Sequence, residues 1–180
     1  MATTAPTIDT ELFGTDVSLE FSRPWAAYWL AFIRVLTGWW LMHAGLTKLM
    51  QNGLMMPKGG LMWFISAGNT PVSPIMGLFT SGFPLALVQF WVPVGEFLIG
   101  LGLVVGCLTR LAAFFGAFLM TFFYFVNHGW RHGMFSGDLM GLLLFVTVAV
   151  FAAGRVWGID AYLEQTDWVQ NNTWARYLMG

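Results

Sequence analysis

The stretch that most constrains this chain is Pro93-Val94-Gly95-Glu96-Phe97-Leu98-Ile99-Gly100-Leu101-Gly102-Leu103-Val104-Val105-Gly106. It is apolar enough to lie in lipid, yet it carries one carboxylate, Glu96. An acidic residue at the centre of a spanning helix costs about 3 kcal/mol, so such residues face a bundle interior or a polar cavity. Gly95, Gly100, Gly102 and Gly106 supply small positions where another helix can approach without steric cost. The stretch therefore predicts a central helix whose Glu96 has a partner.

Composition agrees with lipid. The chain has 57% hydrophobic and 9% charged residues, where a soluble domain carries about 25% charged. All-α integral membrane architecture is expected, as one compact domain. A net charge of −1 gives no reason to expect nucleic acid as a partner. With Cys107 as the single cysteine, an internal disulfide and a thiolate metal cage are excluded. Residues 1–24 read as a polar amino-terminal arm with no secretory signal.

The spacing predicts a transmembrane domain over 25–156 built as a four-helix bundle, with spans at about 25–50, 85–107, 111–127 and 138–156. Residues 51–83 are too long and too apolar for a simple loop and read as a lid or re-entrant segment between the first two spans. Within it, Leu61–Ala67 and Pro74–Phe79 look like short interfacial or re-entrant pieces, and Pro93 can kink the second span. Residues 157–180 mix aromatics with acids and amides, as an amphipathic surface helix does. Four spans put both termini on one side with Arg23, Arg110, Arg155 and Arg176, opposite Lys48, Lys58 and Arg131. That count favours a multi-pass cell-membrane protein with cytoplasmic termini.

Two polar groupings follow from depth. Arg34 lies roughly 14 Å in from one side, and Glu96 about 16 Å from the same side, by helical rise. An Arg34–Glu96 pair would relieve two buried charges. Such a pair either locks two helices together or forms a polar pocket that exchanges protons with a quinol. A quinone entering from lipid between the helices that carry Arg34 and Glu96 would have Trp39 or Trp40 stacking nearby. On the other side, His43, Lys48, His128, Arg131, His132 and Asp138 could hold a small anion, or simply be solvated loop residues. His128 and His132 are four apart, but Gly129 and Gly133 oppose a helix there, and no metal site is predicted. Nor is a covalent or haem cofactor, or a dinucleotide fingerprint, expected.

The motifs carry a resemblance. Arg34 with Gly38-Trp39-Trp40-Leu41-Met42-His43-Ala44-Gly45-Leu46-Thr47-Lys48-Leu49 looks like the first-helix signature of the DoxX/DoxD family. Gly95-Glu96-Phe97 through Gly102, then Leu108-Thr109-Arg110-Leu111-Ala112-Ala113, resembles its second motif. Gly137-Asp138 and Gly154-Arg155-Val156-Trp157-Gly158-Ile159-Asp160 resemble the closing one. The DoxD branch is similar to the small subunit of a thiosulfate:quinone oxidoreductase. The resemblance implies a quinone-linked redox role with quinone as substrate, a small sulfur anion as donor, and a partner subunit or homo-oligomer in the lipid. It marks Arg34, His43, Lys48, Glu96, Arg110, Asp138 and Asp160. A non-catalytic anchoring subunit of a respiratory complex, or a small proton-coupled transporter, are the rival readings.

Overall fold

The computed structural model describes residues 7–12, 15–20, 24–65, 70–126 and 133–180. The amino-terminal arm is a hairpin: β1 (Thr7–Leu12) and β2 (Thr15–Glu20) pair antiparallel, with Thr7 opposite Glu20 and Leu12 opposite Thr15. The hairpin adds a strand pair to the arm of a chain that is otherwise helical, as expected. Thr and Val are β-branched and favour extended backbone over helix.

The rest is helical. α1 (Pro24–Asn52) opens on Pro24, whose missing N–H costs nothing in a first turn. It ends where Gly53 takes φ 71° and donates its N–H to the Leu49 carbonyl at 2.9 Å. After it come α2 (Lys58–Ile65), α3 (Ser73–Met76) and a 3-10 turn at Gly77–Phe79, short pieces where short pieces were expected. α4 (Gly82–Val105) starts three residues earlier than the sequence suggested and contains Pro93. Gly106 ends it at φ 71°, a left-handed cap that leaves Cys107 outside the helix. α5 (Thr109–Val126) and α6 (Gly137–Val150) follow.

Two of these helices, α4 and α5, are long and apolar enough to cross a membrane, and α6 is a shorter apolar helix. α6 does not run on through Val156. Ala152 takes φ 48° and a 3-10 turn occupies Ala153–Arg155.

Residues 157–180 do not form one amphipathic surface helix. They break into α7 (Asp160–Leu163), α8 (Asp167–Asn171) and α9 (Thr173–Arg176), with Asp160, Val169, Ala175 and Met179 buried. This segment folds back onto the α4–α5 turn, where Leu108 and Leu163 pack against Val169, Ala175 and Met179. The main core is Leu30 and Leu41 of α1, Leu103 of α4, Ala112, Ala113 and Met120 of α5, and Phe145 and Val148 of α6. Phe145 fits because Gly116 has no side chain: a methyl group there would fall inside the Phe145 ring.

Candidate functional site

The α1–α4 interface positions the charged groups, and glycine sets its register. A methyl group at Gly100 would collide with the Met42 backbone, one at Gly38 with the Gly100 carbonyl, and one at Gly45 with the Phe97 amide. The two backbones therefore touch along an antiparallel seam on which Gly38 faces Gly100 and Gly45 faces Pro93 and Phe97. On α4 the buried positions Pro93, Glu96, Gly100 and Leu103 repeat at helical spacing. On α1 the matching stripe is Arg34, Thr37, Gly38, Leu41 and Gly45, all buried. Lys48 extends it by one more turn.

This register gives Glu96 a different partner from the one expected. Lys48 Nζ donates to Glu96 Oε1 at 2.6 Å and also contacts Oε2. Glu96 is 1% exposed, and the Lys48 side chain 26%. A pair half in and half out of water keeps the lysine hydrated while its charge offsets that of the buried carboxylate. Gly95, next to Glu96, has no atom within 4 Å of where its side chain would be, so it is not part of the seam.

Arg34 sits at the other end of the same seam. It is 1% exposed and lies against Gly106 and Gly158, where any side chain would collide with its Nη1. Its Nη2 donates to the Trp157 carbonyl at 3.2 Å, while Nε and Nη1 find no acceptor among the described residues. Asp160 supplies the opposing charge. The depth count that paired Arg34 with Glu96 took both helices as starting at one membrane plane. Instead, α1 extends past the end of α4, and the returning 157–160 segment covers the difference.

Asp160 closes this end. Its Oδ1 accepts from Leu108 N at 2.7 Å, and Oδ2 from Thr109 N at 2.9 Å and Gly180 N at 3.2 Å. Leu108 takes φ 50°, so two successive amides aim at one carboxylate at the start of α5, where the helix dipole favours negative charge. Arg155, from the same motif, holds Glu164 through Nε at 3.0 and 2.9 Å. Arg110 Nε donates to the Ala149 carbonyl at 3.3 Å, tying α5 to α6. Burial, and then the Asp160 charge, push the Cys107 thiol up, which suppresses its thiolate.

The remaining expected site residues divide. His43 stacks at 6.3 Å on Trp39 and both are exposed, on a face about 140° from Lys48 at 100° per residue. Trp40 lies over Gly141 beside Met120, not over the ion pair. The structure thus brings Lys48 to Glu96 and leaves His43, Trp39 and Trp40 elsewhere. Asp138 stands in the first turn of α6, whose cap is Ser136: its Oγ accepts from Leu139 N at 3.3 Å. His128, Arg131 and His132 lie outside the described residues. Among those described, no three His, Cys, Asp or Glu side chains gather around a common metal position.

Two further residues went unnoticed in the sequence, Gln89 and Met56. Pro93 has no N–H, so the carbonyl of Gln89 four residues earlier is left without its helical donor. Met56 N fills that gap at 2.9 Å, and Gln89 Nε2 donates back to the Met56 carbonyl at 2.8 Å. The signal that could have found them is the pairing of a Pro inside an apolar helix with a Gln one turn before it.

A family model described as DoxX matches residues 29–129, more than half of the 180 residues. No curated protein and no solved structure matches the chain.

Proposed function

The chain belongs to the DoxX family, and on that premise we propose that it is a membrane subunit of a quinone-linked redox system. Its family and its two span-length apolar helices identify it as a membrane protein. In the proposed arrangement α1, α4, α5 and α6 are four spans of a multi-pass protein, both termini are cytoplasmic, and α2 and α3 form the lid over the bundle.

The observation that carries the redox reading is the Lys48–Glu96 pair: a carboxylate 1% exposed, joined to a lysine that still reaches the surface. Quinone reduction takes up two electrons and two protons. Lys48 Nζ can donate a hydrogen bond to a quinone oxygen as charge develops there, and Glu96 can pass a proton to it. A small sulfur anion such as thiosulfate would supply the electrons: two ions join through an S–S bond and release two. Lys48 and Lys58 place positive charge at that end of the bundle to attract it. Cys107 takes no part, because it lies at the far end of α4 with its thiolate suppressed.

Quinone reduction by the purified protein, with thiosulfate as donor, tests the reading against Glu96→Gln. Turnover that drops at least tenfold in the variant supports a redox site at the pair. Absence of turnover in folded wild-type protein overturns intrinsic activity and favours the anchoring role. The feature favouring that second reading is the outward row of Phe114, Phe115 and Phe118 on α5, available to a partner subunit.

A further inference from the structure

We propose that residues 53–57 form a strap across the aqueous approach to Lys48 and Glu96, held shut by Gln89 and made latchable by Pro93. The proposal rests on the pair being the working site. It assigns the control of water and proton access to residues that do not touch the reacting groups.

The placement follows from the seam. With Gly45 against Pro93 and Phe97, and Lys48 on Glu96, the next turn of α1 meets α4 near Gln89. There the chain leaves the helix: Asn52 Nδ2 donates back to the Lys48 carbonyl at 3.2 Å, and Gly53 turns at φ 71°. Three residues after Gly53, Met56 reaches Gln89 on α4. Gln89 and Glu96 are seven apart, on one face and about 10 Å along the axis. The segment from Gly53 to Met56 therefore crosses from α1 to α4 at the end of the seam next to Lys48 and Glu96.

The fastening is unusually local. Leu54, Met55 and Pro57 are exposed, so burial does little to hold the strap. Its attachment to α4 is the reciprocal pair of hydrogen bonds, Met56 N to the Gln89 carbonyl at 2.9 Å and Gln89 Nε2 to the Met56 carbonyl at 2.8 Å. The first exists because Pro93 cannot donate to that carbonyl. An ordinary residue at 93 would return the carbonyl to the helix and remove the strap's acceptor. Few buried apolar contacts and few hydrogen bonds mark a segment that opens without global unfolding. Opening would admit water to a carboxylate that is otherwise dry, and closing would return it to the low-dielectric interior. Gln89 and Pro93 are positioning residues in this scheme.

The test reads access, not turnover. The whole protein in detergent is treated with a water-soluble amine reagent, and Lys48 modification is followed by peptide mass spectrometry. Lys58, exposed on α2, serves as the internal reference. Gln89→Met keeps the side-chain length and deletes one bond of the clasp. Pro93→Ala restores the helical N–H and deletes the other. Each should speed Lys48 modification relative to Lys58 by roughly two- to tenfold, the range of one neutral hydrogen bond. Gln89→Glu keeps an acceptor but cannot donate to the Met56 carbonyl, and should behave as Gln89→Met does. Should Pro93→Ala fail to fold, Gln89→Met decides alone. A Lys48 rate equal to wild type in both folded variants, or a wild-type rate equal to that of Lys58, overturns the strap. A strap confirmed in a protein without quinone turnover would leave the access mechanism standing and intrinsic redox activity overturned.

Discussion

At the scale of single residues, the consequential fact is which cation Glu96 owns. Lys48→Met leaves a buried carboxylate without a counter-ion and should cost about 3 kcal/mol or more. Glu96→Gln leaves an ammonium that can turn toward water and should cost less. The double variant should be less damaged than the sum, and Arg34→Met combined with Glu96→Gln should be additive within about 0.5 kcal/mol, since the two share no partner. Unfolding midpoints in detergent measure all of these; strong coupling between positions 34 and 96 would sink the Lys48 assignment. Cys107 supplies a pH prediction. Its thiol is pushed up by burial and then by Asp160, so at any given pH less thiolate is present than in a free cysteine. Maleimide labelling should therefore rise at higher pH than for a free thiol, and Asp160→Asn should move the curve back down. The sequence announced that Glu96 needs a partner, because an isolated carboxylate in lipid is too costly. It could not name the partner, since Arg34 and Lys48 lie on the same face of α1 and only the register against α4 separates them.

At the scale of elements, glycine decides how helices meet. Gly100→Ala would drive a methyl group into the Met42 backbone, so α1 and α4 must part and the Lys48–Glu96 contact with them. A loss of several kcal/mol is expected, in line with overpacking of a tight interface. Gly95→Ala meets nothing within 4 Å and should be neutral or stabilising by up to about 1 kcal/mol through helix propensity. Thermal unfolding of the two variants makes the contrast; equal effects would mean the glycines serve flexibility rather than approach. That glycines mattered was legible from their density beside Glu96. Which of them mattered was not, because a glycine on the lipid face and one on the seam look alike in sequence. The start of α5 carries its own test. Asp160→Asn removes the charge from an acceptor of three amides and turns an NH2 group toward donors, so it should cost about 2–4 kcal/mol.

For the molecule as a whole, the carboxy-terminal segment is part of the fold and not an appendage. Val169 is 2% exposed, packed with Ala175, Met179 and Leu108. Val169→Asp should loosen the α4–α5 turn and, through Trp157 and Asp160, free Arg34. Limited proteolysis would show earlier cleavage after residue 160, and cleavage unchanged from wild type would return the segment to a surface role. By itself the sequence determined the class of this protein and its ordered motifs. Its long, unbroken apolar runs satisfy their backbone in lipid as helices, and residues 29–129 match the family. It also located the charged residues that had to be paired. Tertiary structure alone decided the pairing, the Met56–Gln89 hydrogen bonds and the return of residues 157–180. Each depends on the register and packing of segments far apart in the chain, where a slip of a few residues moves a charge by several ångströms, and local pattern says nothing about that slip.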